Sequence, residues 1–244
     1  MARADGRSLE ALVDAAARMA PPRRFADAIT AQPGLAVIAE IKRRSPSKGV
    51  LNASLDAAAM ARAYEAAGAA CLSVLTDEEF FGGSISDLDQ ARTGTALPVL
   101  RKDFTVSARD VADARLVGAD AVLLIVAALD RVELSEYHQL AVQLDLDALV
   151  EVHDEAELET ALACGATLVG VNQRDLVTFE VDHDRASRLA AAIPPRVVKV
   201  AESGVRDADD ARRLAADGYD AILVGETLVT AGDAAATLRA LRDV

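Results

Sequence analysis

The amino-acid sequence predicts an α/β protein: a single-domain (βα)8 TIM barrel with a short N-terminal helical extension. Three observations predict it. Eight short, β-rich apolar runs recur along the chain, separated by segments with helical periodicity. Four glycines, Gly68, Gly118, Gly165 and Gly218, each close a helical segment two to four residues ahead of a strand, where a left-handed residue ends a helix at little cost. The 244 residues match the size of one such barrel, typically about 250.

The elements follow in order. Residues 1–34 form the extension, with one helical pattern around Leu9–Met19 and then Pro21-Pro22; it is expected to pack across one end of the barrel. Residues 35–244 form the barrel. Strands are expected at Leu35–Ile41, Cys71–Thr76, Val99–Phe104, Ala121–Val126, Asp147–Val152, Leu168–Val171, Val197–Ala201 and Ala221–Val224. Continuous apolar runs suit parallel strands covered on both faces. Amphipathic segments such as Leu55–Ala67, Arg131–Leu144, Glu155–Cys164 and Ala208–Ala216 lie between them, with Asp130, Asp154 and Asp207 at N-cap positions. No linker or low-complexity stretch divides the series.

Composition narrows the class. Apolar residues make up 52% and aromatics only 3%, with no Trp, so the core must be aliphatic and rich in Ala. A net charge of -13 argues against nucleic acid, whose backbone needs a basic surface. No apolar run approaches the ~20 residues that span a bilayer, so no membrane partner is expected. The start, Met1–Glu10, is polar and unlike a signal peptide. Cys71 and Cys164 read as free thiols of a reducing cytoplasm. His138, His153 and His183 are scattered without metal-ligand spacing; no metal and no cofactor are expected. The partner expected is a small phosphorylated molecule, and the protein a monomer.

Only four of the 26 basic residues are lysines: Lys42, Lys48, Lys102 and Lys199. In a chain that otherwise uses Arg, a Lys flags a position needing an ammonium that can give up a proton, which Arg cannot do. Sites in this fold sit at the C-terminal ends of the strands. There the first strand carries Glu40 and Lys42, the third Lys102, the fifth Glu151, the sixth Asn172 and Arg174, and the seventh Glu202. Alternation along each strand turns these seven inward together. One reading is a salt-bridge network closing the barrel mouth. The other is a site with perturbed acid-base groups, since burying unpaired charge costs several kcal/mol per ion. Lys199 has the opposite parity and should face away.

Ser203-Gly204 and Gly225-Glu226 follow the seventh and eighth strands, where barrels often hold phosphate on backbone N–H groups. The loop Arg43-Arg44-Ser45-Pro46-Ser47-Lys48-Gly49 adds positive charge and hydroxyls, so Ser45 and Lys48 join the anion-binding set. Phe80, Phe81 and Phe104, three of eight aromatics, fall at the catalytic ends of the second and third strands, where at least one should face an apolar part of a substrate.

These residues carry a resemblance. Ile38–Gly49 (IAEIKRRSPSKG), Leu75-Thr76-Asp77 with Phe80–Ser84 (FFGGS), Leu100–Phe104 (LRKDF), Glu151-Val152-His153, Val171–Leu176 (VNQRDL), Ala201–Gly204 (AESG) and Val224-Gly225-Glu226 together resemble indole-3-glycerol phosphate synthase, from about Leu35 to the C-terminus. The resemblance implies a carbon–carbon lyase of tryptophan biosynthesis that closes and decarboxylates 1-(2-carboxyphenylamino)-1-deoxyribulose 5-phosphate without a cofactor. It implies Lys102 as the general acid for ring closure and Glu151 as the acid/base of the later dehydration. Lys42 would bind the substrate carboxylate, and Glu40, Asn172, Arg174, Glu202 and Ser203 would orient these groups. A second ammonium near Lys102 would lower its pKa toward useful values. The segment before Leu35 is shorter than the family's usual helical arm, and Gln173 stands where many members have Asn. Another phosphate-binding barrel, such as phosphoribosylanthranilate isomerase, should place a catalytic Cys at the end of the first strand; here Cys71 begins the second.

Overall fold

The computed structural model describes residues 6–175 and 177–244; Met1–Asp5 and the motif residue Leu176 lie outside the described residues. Eight parallel strands close a barrel: β1 (Ala36–Ile41), β2 (Cys71–Leu75), β3 (Val99–Lys102), β4 (Ala121–Ile125), β5 (Asp147–Val152), β6 (Leu168–Asn172), β7 (Val198–Glu202) and β8 (Ala221–Val224). Each strand pairs with its successor, and β8 returns to β1 with Ala36 opposite Ala221. Closure leaves no unpaired edge in the barrel.

The helices are α1 (Leu9–Ala17), α2 (Phe25–Thr30), α3 (Ala57–Ala67), α4 (Ile85–Gly94), α5 (Ala108–Leu116), α6 (Arg131–Gln143), α7 (Glu155–Ala163), α8 (Arg185–Ala190), α9 (Ala208–Ala216), α10 (Glu226–Val229) and α11 (Ala234–Arg242). The expected caps form. Asp130 makes a full capping box with Glu133, and Asp154 and Asp207 each accept first-turn N–H groups. Gly68, Gly118, Gly165 and Gly218 all sit at φ between 84 and 93°, as helix-ending residues should.

Strand parity sorts two cores. Outward residues such as Val37, Ala39, Val122, Val150 and Ile222 pack under the helices. Inward residues Ala36, Ile38, Leu100, Ala121, Leu149, Leu168, Val200 and Ala221 fill the barrel. The extension makes two uses of its length. α1 lies against α5 on the flank, while α2 caps the N-terminal end, where Phe25 and Ile29 complete the inner core.

The strand ends shift slightly. β3 stops at Lys102 rather than Phe104, because Asp103 turns the chain, accepting from the Phe104 N–H at 2.9 Å and from Thr76 and Arg101. β6 reaches Asn172, and β7 runs through Glu202, so both polar residues are held by the ladder itself, Asn172 opposite Glu202.

Candidate active site

The inward set meets as the sequence requires. Glu40, Lys42, Lys102, Glu151, Asn172, Arg174 and Glu202 all line one cavity of about 500 Å³ at the C-terminal end of the barrel, within the usual size of a small-molecule site. Its floor is the top of the inner core, Leu123, Ile125 and Leu223, with buried Leu75 also lining the cavity. The predicted residues Ser45, Lys48, Phe81, Phe104, Ser203, Gly204, Gly225 and Glu226 line it as well. Phe80 does not: it is 47% exposed and meets Phe104 edge-on, ring centroids 6.2 Å apart. Because β3 ends early, Phe104 rides on the rim and is itself 43% exposed.

Lys102 is the centre. Its ammonium lies 2.8 Å from Glu151 Oε2 and 2.6 Å from Glu202 Oε2. Burial alone would depress the ammonium's pKa, but Glu151, Glu202 and Glu40 outweigh it and hold the group well above its ordinary value. The expectation that a second ammonium lowers it is not met, because Lys42 gives its charge to Glu40 at 2.8 Å. Glu151 is almost fully buried, which favours its neutral form; Lys102 and the Asn172 amide, 3.1 Å from Oε1, reverse this and keep the carboxyl below its usual range. Glu202 goes the other way. Burial, with Glu151 and Glu40 adding to it, outweighs Lys102 and pushes Glu202 up to about 7. Two carboxylates on one ammonium thus have opposite proton affinities, the arrangement acid-base chemistry requires.

Two glycines make this possible. A Cβ on Gly170 would come within 2.0 Å of Glu202 Oε1, and one on Gly225 within 2.2 Å of Glu40 Oε1. Gly225 has a negative φ of −122°, so it serves here as space rather than as a left-handed turn. Gly204 differs: it has φ +74°, follows Ser203 at +66°, and a Cβ would press on Val181 at 2.6 Å.

The basic loop divides its labour. It folds as a small antiparallel ribbon, Arg44–Ser45 against Gly49–Val50. Arg43 is committed to Asp87 and to the carbonyls of Ala53 and Leu55, and Arg44 to the Phe80 carbonyl. Only Lys48 of the loop's cations lines the cavity. The Glu226 carboxylate turns toward Lys48 and Arg174, at 3.8 and 3.7 Å. Gln173 points out of the cavity and donates to the Ser203 carbonyl at 2.8 Å. Lys199 also faces away, its Nζ 3.1 Å from the Ala190 carbonyl.

Sequence reasoning missed Phe179, Val181 and His183, which line the cavity from the loop between β6 and α8. Phe179 was findable as one of only five Phe in the chain. His183 was not, because it reaches the cavity through the tertiary folding of the loop, in which Arg174 bridges to Val181.

The chain is similar throughout to known proteins. A family model described as indole-3-glycerol phosphate synthase matches residues 2–241. Proteins of that name are 53% identical over 226 residues in Parafrankia sp. (93% of this chain, 84% of the relative), 49% identical over 236 residues in Mycobacteroides abscessus (95% and 87%) and 48% identical over 236 residues in Rhodococcus jostii (95% and 88%). Among solved structures, a thiamine phosphate pyrophosphorylase from Pyrococcus furiosus superposes with a TM-score of 0.63 at 18% identity, covering 86% of this chain and 94% of that one; this likeness is one of fold.

Proposed function

The chain belongs to the indole-3-glycerol phosphate synthase family, and from that premise we propose how its residues perform the family's reaction. The reaction is a carboxy-lyase step of tryptophan biosynthesis: 1-(2-carboxyphenylamino)-1-deoxyribulose 5-phosphate closes its ring, loses carbon dioxide and water, and becomes indole-3-glycerol phosphate.

The observation that carries the assignment is the Lys102 ammonium held between Glu151 and Glu202 above an apolar floor. As the aromatic carbon attacks the ribulose carbonyl, the oxygen needs a proton, and Lys102 supplies it from a preorganised, water-poor position. Glu202, with its raised proton affinity, takes over part of the ammonium's charge balance as that proton leaves. Glu151 then exchanges the protons of dehydration. Lys42, steadied by Glu40, receives the substrate carboxylate; Phe81 and Phe104 flank the aromatic ring; Asn172 and Arg174 orient Glu151 and the substrate. The phosphate lies on the backbone N–H groups of Ser203-Gly204 and Gly225-Glu226, with Ser45 and Lys48 closing over it. Phosphate then replaces Glu226 as the partner of Lys48.

The reading includes a protein working as a cytoplasmic monomer without cofactor. Among the described residues no helix is long and apolar enough to cross a membrane. The test is direct: purified protein mixed with the ribulose phosphate, without added metal or nucleotide, should develop indole fluorescence. No fluorescent product from folded protein overturns the reading.

A further inference from the structure

Glu151 has a neighbour that this chemistry does not use. His153 follows β5 two residues after Glu151, its side chain 12% exposed. Its backbone N–H and its Nδ1 both meet Glu157 Oε2, at 2.7 and 3.0 Å. Glu157 is fixed in turn, its N–H donating to Asp154, the N-cap of α7, at 2.8 Å. The ring is thereby turned so that Nε2 faces Glu151 Oε1 at 3.7 Å, buried and without a hydrogen-bond partner among the described residues.

That geometry calls for a proton. If the neutral ring spends its N–H on Glu157, Nε2 presents a lone pair to a carboxylate, and the two repel unless one proton lies between them. The charged groups facing the ring are Glu151 from β5, Glu157 from α7 and Arg185 from α8. Burial lowers the imidazole's pKa and Arg185 opposes the charge, but Glu157 and Glu151 prevail and raise it.

The reaction consumes a proton, on the reading above, on which this inference rests. The aromatic carbon bonds to the carbonyl carbon, and the oxygen takes a first proton. The carboxylate leaves as carbon dioxide, its electron pair returning to the ring. The hydroxyl leaves as water with a second proton, and the adjacent C–H gives one back. Two protons are delivered and one recovered, so each turnover draws one from solvent while the substrate occupies the mouth.

We propose that His153 is a positioning residue acting through Glu151: it passes a solvent proton from the α7 side of the barrel to Glu151 Oε1, with Glu157 holding its ring. Glu157 is 21% exposed and Glu151 only 2%, so the three residues lead from surface to site without using the mouth. A proton from water or a buffer acid bonds to Nδ1 as the Nε2 proton passes to Glu151 Oε1, and a flip of the ring restores the starting tautomer before the next turnover.

The test compares His153→Gln and Glu157→Gln in the full chain, reading kcat, KM and the pH profile of kcat. The wild type should lose kcat as pH rises through an ionisation above 6.5, the ordinary histidine value, because the relay needs the imidazolium. His153→Gln keeps the size and polarity of the ring but not its titration. It should lower kcat about tenfold, the small end of acid-base effects, leave KM within about twofold, and abolish that limb. Glu157→Gln should move the limb to lower pH. Unchanged kcat in His153→Gln overturns the proposal; so does a lower kcat with the limb intact, or a rise in KM alone. Should His153→Gln fail to fold, an unmoved limb in Glu157→Gln overturns it. Wild-type protein that makes no indole product refutes the underlying reading instead; active wild type with an indifferent His153→Gln refutes only the relay.

Discussion

The two ends of the barrel both carry carboxylates that are buried or half-buried, and use them in opposite ways. At the N-terminal end Asp120 accepts from the N–H groups of Arg23 and Val99, at 2.8 and 2.9 Å, and pairs with Arg92. Asp147 accepts from Phe25 and Ala26, at 2.8 and 3.0 Å, and Asp220 from Lys199, at 2.8 Å. Those oxygens are tied to backbone and hold α2 and the strand register over a close-packed plug of Phe25 and Ile29. At the C-terminal end Glu40, Glu151 and Glu202 pair with ammonium groups lining the cavity, and Glu202 Oε1 has no hydrogen-bond partner among the described residues. A carboxylate bound to backbone is fixed and structural; one bound only to side chains can exchange a proton or a partner.

Lys102→Met should cost about 10²–10⁴-fold in kcat, the usual worth of a general acid, and should lower the melting temperature while the fold survives, because Glu151 and Glu202 lose their buried counter-charge. Near-normal turnover would make the upper cluster structural after all. Glu151→Gln should likewise lower kcat strongly and leave substrate affinity within about an order of magnitude; lost affinity with normal turnover would make Glu151 a binding group. Phe25→Ala is the converse. It should destabilise by about 3–5 kcal/mol through the cavity it opens, measured by denaturant titration, while folded protein keeps its kcat. A specific catalytic defect there would mean that the lower end reaches the chemistry.

A finer test uses Glu202. Its proton affinity in the fold, near pH 7, exceeds the ordinary 4.5. Between those values the native protein holds a proton that the unfolded chain has released, so stability should fall as pH rises through that window. Glu202→Gln should flatten that slope in melts across the window; an unchanged slope would place the proton elsewhere. Smallest of all, Lys199→Arg should leave activity unchanged, because its ammonium is spent on a backbone carbonyl outside the barrel.

Much of this was legible in order and parity. Alternation within β1, β3, β5, β6 and β7, carried one residue past β1 to Lys42 and two past β6 to Arg174, put the seven polar side chains on one face, which a closed parallel barrel turns inward. Phe104 shows where local reading stopped: nothing in Val99–Phe104 announces that Asp103 will bond back and end the strand two residues early. Gly225 shows another stop, since its turn-like setting concealed that its missing Cβ makes room for Glu40.

The sequence by itself determined the eight-fold alternation, the caps, the helix-ending glycines and the set of inward charges, because period-two and helical patterns are local and each residue reports its own side. Only the tertiary structure decided how those charges pair: Lys42 with Glu40, Lys102 with both Glu151 and Glu202, His153 behind Glu151, and Arg43 and Arg44 withdrawn from the cavity. Pairing depends on distances across the barrel between residues far apart in the chain, and coulombic effects in a buried site change with each ångström of separation. Proton affinities follow from those distances and could not be read before the barrel closed.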